Sequence, residues 1–169
     1  MERKLILLAG AVVLLLVSFK FYHCSSQYCT PKPAATATLT TKSGDTATAV
    51  MQIGSTTLDA LVADTDATRE QGLSGRDGLP PDTGMLFIFP QPAAYGFWMK
   101  DMKFDLDLIW INSTGEVIGI TKNVPKDSYP NIFHPPGPIT FVVEVPAGFA
   151  DAHGMQTGQY FSYKSTNGQ

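Results

Sequence analysis

The sequence predicts a small domain of the mainly β or α+β class: a curled antiparallel sheet or partly closed barrel with one or two short helices, behind an N-terminal transmembrane helix. Short apolar runs recur along the chain, and turn-forming residues separate them at close intervals. Fifteen Gly and twelve Pro among 169 residues are more than a helical bundle would carry. One longer apolar stretch stands at the N-terminus. These three observations together give the predicted class.

Residues 1–24 are predicted to anchor the chain in a membrane. Residues 5–17 are continuously apolar, and residues 18–22 extend them toward the roughly 20 residues that span a bilayer. Arg3 and Lys4 precede the apolar run and favour a single-pass, N-in orientation with the C-terminal domain outside the cytoplasm. A cleaved signal peptide is the alternative, because a short apolar run also fits such a segment. The protein would then be secreted or periplasmic.

Residues 25–48 are predicted to form a tether, because they are rich in Pro, Ala and Thr and cannot bury a core. Cys24 and Cys29 are the two cysteines of the chain, and they either close a small disulfide loop or stay free. The globular domain is assigned to residues 49–163 and a polar tail to residues 164–169. The domain therefore has no thiol nucleophile and no Cys-based zinc site.

Alternating apolar residues and turn signals divide the domain into short elements. A first helix is predicted from the N-cap residues 64–66 through Ser74, with Gly75 as its end, and a second over 148–153. Strands are predicted at 49–53, 57–63, 85–89, 95–100, 106–111, 116–121, 140–145 and 160–163. Residues 122–138 form a proline-rich loop, which we expect to cover one end of the sheet.

The charge distribution argues against nucleic acid as a partner. Five of the twelve basic and two of the fifteen acidic residues precede residue 49, so the rest of the chain has seven basic and thirteen acidic side chains. A surface that neutralises phosphates needs clustered Lys and Arg, which this domain lacks.

Carboxylates supply the first group of candidate site residues. Asp105 and Asp107 share one face of an extended chain, roughly 6.6 Å apart along it, a spacing that fits an acid–base pair or a hard cation. The alternative is that both accept hydrogen bonds from loop amides where the strand enters the core. Glu144, in the strand before Pro146, is expected to need a buried partner such as Arg69 or Arg76.

Aromatic and basic side chains supply the second group. Trp98 and Lys100 would share a strand face and form a ligand platform, although a core role for Trp98 is the alternative. Arg69 and Arg76 would grip an anionic group, or pair with domain acids such as Asp77, Asp82 or Glu144. No motif predicts a metal site or a cofactor, and His134 and His153 lack partners at metal-ligand or triad spacing.

Several ordered blocks resemble an uncharacterised family, domain of unknown function 192 (uncharacterised protein family 0127). They lie at residues 68–76, 79–89, 97–102 and 144–148, with Leu106-Asp107, Gly154 and Gly158. The family pattern often has Asn and Thr where this chain has Asp101 and Met102. The resemblance implies a compact β-rich domain over about residues 49–163, often behind a signal or anchor, and it supplies no established activity.

The functional hypothesis is a non-catalytic binding or accessory module, displayed outside the cytoplasm and binding a small molecule, a glycan or an envelope protein. Its site would lie near Arg69, Arg76, Trp98, Lys100, Asp105, Asp107 and Glu144. An acid–base hydrolase of envelope glycans, acting through Asp105, Asp107 or Glu144, is the first alternative. A structural module that docks a partner without a small ligand is the second.

Overall fold

The computed structural model describes residues 48–166 of the chain. The predicted membrane anchor, residues 1–24, lies outside the described residues, as do the tether up to residue 47 and the last three residues of the polar tail.

Seven strands and two short helices make up the described part of the chain. In chain order they are β1 (Thr48–Ile53), β2 (Thr56–Ala63), α1 (Asp66–Gln71), β3 (Thr83–Ala93), β4 (Leu106–Ile111), β5 (Val117–Val124), β6 (Ile139–Pro146), α2 (Phe149–Ala152) and β7 (Phe161–Ser165). The predicted mainly β domain with two short helices is therefore confirmed.

The seven strands form one open mixed sheet in the order β5-β4-β6-β3-β2-β1-β7. Strands β2 and β3 run parallel, whereas the other neighbouring pairs run antiparallel. The prediction of a purely antiparallel sheet is wrong at this one pair. Residues 64–82, which include α1, cross over from the end of β2 to the start of β3, and a crossover of that length permits parallel pairing.

The two edge strands of the sheet meet at one end. The Phe161 amide, at the start of β7, donates to the Gly115 carbonyl oxygen over 2.7 Å, and the Val117 amide of β5 donates to Gln159 over 2.9 Å. These bonds lie at the first residues of each strand, so the sheet curls at that end and stays open along the rest of both edges.

Apolar side chains alternate between the two faces of the sheet, and each face carries its own core. One face, here called the α2 face, packs Ile109, Val143 and Val145 against Ala150 of α2. The opposite face, here called the α1 face, is built around Leu108, Trp110 and Val142, with Met85, Phe87, Leu73 and Met99.

The predicted strand at residues 95–100 is wrong. Within it, Phe97 alone makes a bridge, exchanging two backbone hydrogen bonds with Phe133 of the proline-rich loop over 2.8 and 2.9 Å. The alternation of large side chains that predicted a strand comes from a loop whose rings cover the α1 face. Phe97 packs edge-on against Phe87 and Trp110, at centroid distances of 5.1 and 5.4 Å.

Candidate functional site

Helix α1 begins and ends through local chemistry that the sequence shows in part. The Thr65 hydroxyl accepts a hydrogen bond from the Thr68 amide, and the Thr68 hydroxyl accepts one from the Thr65 amide, which closes a capping box. The helix ends at Gln71 rather than Ser74, because Gly72 already takes the left-handed φ of 47° that stops it.

Arg69 fastens α1 to the sheet. One nitrogen of its guanidinium group, Nη1, donates to the carbonyl oxygens of Asp64 and Ile88 at 2.6 and 2.7 Å. The other, Nη2, pairs with Asp66 at 2.6 Å, and the group lies 5.4 Å from the centre of the Phe89 ring. Arg69 thus pairs with a domain acid, which was the alternative to gripping an anionic ligand. The acid is Asp66 of its own helix rather than one of the examples Asp77, Asp82 and Glu144.

Residues 95–102 form a second wall opposite α1. The Ser74 hydroxyl donates to the Lys100 carbonyl oxygen over 2.8 Å, and the Gly75 amide donates to that of Asp101 over 2.9 Å. Asp101 has a φ of 57°, a left-handed conformation that Asn and Asp tolerate better than most residues. The exchange of Asn for Asp at this position therefore preserves the backbone of the wall.

Between these two walls lies a cavity of about 340 Å³ on the α1 face of the sheet. Five of its described lining residues are aromatic, and the rings of Phe89 and Tyr95 stack at a centroid distance of 3.8 Å. The lining residues are Arg69, Glu70, Gln71, Gly72, Leu73, Ser74, Phe87, Phe89, Tyr95, Gly96, Phe97, Trp98, Met102 and Glu144. The proline-rich loop does not line the cavity. It supports the wall from behind through Phe133.

Glu144 contributes a buried carboxyl group to this cavity. Its cross-strand neighbours are Met85 and Leu108, whose side chains belong to the α1 face, so the Glu144 side chain points to that face as well. The residue is 5% exposed, and within residues 48–166 no hydrogen bond or ion pair reaches its carboxyl group. Burial raises the pKa of Glu144 to about 8, so the group is mostly protonated at neutral pH.

A second, shallower cavity of about 320 Å³ adjoins the first. It shares Glu70, Gln71, Ser74 and Trp98 with the first cavity and adds Ala67, Lys100 and Asp101. Trp98 is 47% exposed and lies where the two cavities meet. It is therefore not a core residue, which was the alternative that the sequence left open.

Asp105 and Asp107 lie away from both cavities. Asp107 points to the α2 face, where its carboxylate accepts hydrogen bonds from the amides of Asn123 and Ala150 at 2.8 and 2.9 Å. The Asp105 carboxylate accepts one from the Lys126 amide at 2.8 Å. Both acids thus accept backbone amides where β4 enters the core, from the loop residue Lys126 for Asp105 and from β5 and α2 for Asp107. Acceptance of backbone amides is the structural alternative that the sequence offered, although it named loop amides alone.

The structure therefore brings three of the seven predicted residues, Arg69, Trp98 and Glu144, to one cavity and places Lys100 in its neighbour. Arg76 follows the turn after α1 and lines neither cavity, and burial lowers the pKa of its guanidinium group. Sequence reasoning missed the aromatic walls from Phe87, Phe89, Tyr95 and Phe97. These four residues cluster in the segments 87–89 and 95–97, and this clustering was a signal of an aromatic site. Each segment alone is typical of a core.

The described residues contain neither a metal-binding cluster nor a membrane-spanning helix. Residues 48–166 contain no group of three or more His, Cys, Asp or Glu side chains placed to hold a metal ion. Neither described helix has the length and apolar character needed to cross a membrane.

Comparison with known proteins places the chain in a family. No curated protein matches it. The chain is 30% identical to a candidate transcription regulator from Sinorhizobium meliloti 1021, with a TM-score of 0.62 over 69% of this chain and 92% of the other. It is 26% identical to a protein of unknown function from Novosphingobium aromaticivorans DSM 12444, with a TM-score of 0.63 over 67% and 83%. Residues 24–163 match the family DUF192, described as Uncharacterized ACR, and the chain belongs to that family.

Proposed function

We propose that the domain is a non-catalytic binding module that holds a small organic molecule in the cavity between α1 and residues 95–102. The observation that carries this proposal is the aromatic-lined cavity of about 340 Å³ with the buried Glu144 carboxyl group in its wall. Ligand sites in proteins are typically concave, mostly apolar, and contain a few placed polar groups.

The cavity has the size and the stiffness of a preformed site. Its volume lies at the lower end of the roughly 300–1,000 Å³ of small-molecule pockets, which suits a compact ring with a short substituent. Arg69 joins α1 to β3, and Ser74 joins the turn after α1 to the opposite wall. The walls are thus fastened without a ligand, and less ordering is required on binding.

Glu144 supports a binding role because its position does not stabilise the fold. Glu144 is 5% exposed, so its carboxyl group loses most of its hydration on folding, and no hydrogen bond from residues 48–166 compensates for that loss. Buried titratable groups that face a cavity are typical of functional sites.

We propose further that residues 1–24 anchor the protein in a membrane and that the tether displays the domain outside the cytoplasm. The support is the apolar run at residues 5–17 with basic residues before it. Membrane fractionation and intact-mass measurement test this proposal. A soluble species that begins near Gln27 would contradict the anchor and favour the signal peptide.

The alternatives receive less support from the geometry. A glycan hydrolase needs two carboxyl groups across one site, whereas Asp105 and Asp107 bind backbone amides outside the cavity. A role in transcription, which the name of the Sinorhizobium relative suggests, has no support in the charge of this domain. After residue 48 acidic residues outnumber basic ones, and binding to nucleic acid needs clustered basic side chains. If the domain docks a partner without a small ligand, no compound should bind in the cavity.

The test is a binding screen on the full-length chain purified in detergent, with neutral, cationic and anionic one-ring compounds as probes and a detergent-only blank. We expect members of the set to bind and to change the fluorescence of Trp98. Trp98→Ala should weaken binding about three- to tenfold, the effect of losing one aromatic contact. Tyr160→Ala, which removes a 65% exposed ring outside the cavity, is the matched control and should leave affinity unchanged. Absence of binding by every probe would contradict the proposal.

A further inference from the structure

We propose that the ligand of this cavity is an organic amine, whose protonated nitrogen donates hydrogen bonds to the Glu144 carboxylate while its apolar part lies against the aromatic walls. This inference rests on the proposed binding function and names the chemical class that the site selects.

Among the described residues, the cavity offers an acceptor without a partner, and its one cation is already bonded. The Glu144 carboxyl group, in a residue 5% exposed, has no hydrogen bond or ion pair from any residue between 48 and 166. Arg69 is the one basic residue among the lining residues that the structure describes, and it is already bonded to Asp66 and to two carbonyl oxygens. An anionic ligand would have to break those bonds, whereas an ammonium group satisfies an acceptor that has no partner.

The aromatic rings of the cavity lining also favour a cationic ligand. The faces of aromatic rings carry negative electrostatic potential and attract cations within about 6 Å, most strongly where water is excluded. The Arg69 guanidinium group already lies over the Phe89 ring at 5.4 Å, so the rings of this site do hold a cation. Tyr95 and Trp98 add two further rings to the same lining.

The charges around Glu144 are compatible with a cationic ligand. Helix α1 contributes Arg69, which Asp66 neutralises, and Glu70 at the rim, while residues 95–102 contribute Tyr95 as their titratable group in the lining. The flanking strands present the apolar neighbours Met85 and Leu108. An ammonium group therefore meets more negative than positive charge in the cavity.

This arrangement couples binding to a proton. The free carboxyl group is mostly protonated at neutral pH, because burial raises the pKa of Glu144 to about 8. An ammonium ligand binds the ionised form, so it displaces that proton into solvent. Amine affinity should therefore rise roughly tenfold per pH unit from pH 6 to about 7.5, while the amine itself stays protonated.

The experiment compares benzylamine, benzyl alcohol and benzoate, which share one ring and differ in charge, by calorimetry on the full-length chain in detergent. At pH 8 we expect benzylamine to bind at least about tenfold more tightly than benzyl alcohol, the effect of a charge-assisted hydrogen bond, with benzoate weakest. Glu144→Gln should reduce the preference for the amine to about twofold or less and keep the alcohol affinity. Glu116→Gln, a strand-end Glu outside the cavity lining, is the control and should preserve the preference.

Proton release gives a readout on the wild-type chain that does not depend on any variant. In two buffers of different ionisation enthalpy at pH 7, benzylamine binding should release about one proton and benzyl alcohol binding none. Equal or tighter binding of the alcohol, or amine binding without proton release, would overturn the inference and leave the binding module standing. If none of the three compounds binds and the wider screen also fails, both proposals fall.

Discussion

Asp107 and Glu144 are both buried acids at the centre of the sheet, yet they lie in opposite environments. Asp107 pairs with Val145 and Glu144 with Leu108 across β4 and β6, so the two side chains stand one residue apart on opposite faces. The Asp107 carboxylate accepts two backbone N–H groups on the α2 face. The Glu144 carboxyl group faces a cavity on the α1 face, and no described residue bonds it.

This difference separates an acid that builds the fold from one that does not. Asp107 connects β4 to Asn123 in β5 and to Ala150 in α2, and so joins three elements. The Glu144 carboxyl group bonds to no other residue between 48 and 166, and burial raises its pKa. Burial by itself therefore does not identify a structural acid. The hydrogen-bond partners of a buried acid decide whether it stabilises the fold.

The largest expected effect is on the α2 face. Asp107→Ala should lower the free energy of unfolding by about 4 kcal/mol at pH 7, because one buried and one partly buried N–H group lose a charged acceptor. Urea unfolding measures the change. A loss below about 1 kcal/mol would mean that Asp107 does not join these elements as described.

On the α1 face, the contribution of Glu144 to the free energy of unfolding depends on pH. Glu144 destabilises the fold as the pH rises, whereas Asp107 stabilises it. The pKa of Glu144 rises from an ordinary 4.5 to about 8 on folding, so the unfolded chain loses its proton first as the pH rises. Stability is therefore lost between about pH 4.5 and pH 8, by at most about 5 kcal/mol for a shift of this size. About 3 kcal/mol of this loss falls between pH 5 and pH 8, because the two ends of the transition lie outside that range.

Glu144→Gln removes this ionisation. The stability of the variant relative to wild type should therefore increase by about 3 kcal/mol from pH 5 to pH 8. Unfolding curves of both proteins at the two pH values provide the comparison. A difference that stays constant with pH would show that Glu144 has an ordinary pKa.

Arg69→Ala probes how firmly α1 closes the cavity. The variant loses two hydrogen bonds to carbonyl oxygens and a pair with exposed Asp66, so we expect a loss of about 2 kcal/mol. Amide hydrogen exchange should accelerate in α1 and remain unchanged in β4. Uniform acceleration over the whole sheet would contradict a local role.

The smallest effect is expected at Asp105, which resembles Asp107 in sequence and differs from it in exposure. Asp105→Asn keeps an oxygen that accepts the Lys126 amide, so stability should change by less than about 1 kcal/mol. Thermal unfolding is sufficient to measure it. A loss as large as that of Asp107→Ala would remove the distinction between the two acids.

The features that the sequence predicted correctly depend on local residue patterns. Strand β4 was predicted at its observed bounds, Leu106–Ile111, because an apolar run ends there at an Asn turn. The N-cap of α1 was predicted within residues 64–66, and the structure places it at Thr65. The family resemblance, carried by ordered motifs, is confirmed over residues 24–163.

What the sequence did not show depends on contacts between distant segments. The parallel pairing of β2 with β3 follows from a crossover with only six helical residues, too few for a clear pattern. Tyr95 and Phe97 alternate as in a strand, and only the bridge to Phe133 reveals a loop. The sequence identified Glu144 as a buried acid that needs a partner. Arg69, one candidate partner, pairs with Asp66 instead, and no other residue between 48 and 166 bonds the Glu144 carboxyl group.

The most direct test of the central claim is the pKa of the Glu144 side-chain carboxyl group, measured by carbon-detected NMR titration of the ligand-free protein. The claim is that this group is buried in the cavity wall without an internal partner, and the pKa should then be close to 8. A Glu144 pKa near its ordinary value of 4.5 would contradict the account, since it would mean that water or a positive partner reaches the carboxylate in the folded protein.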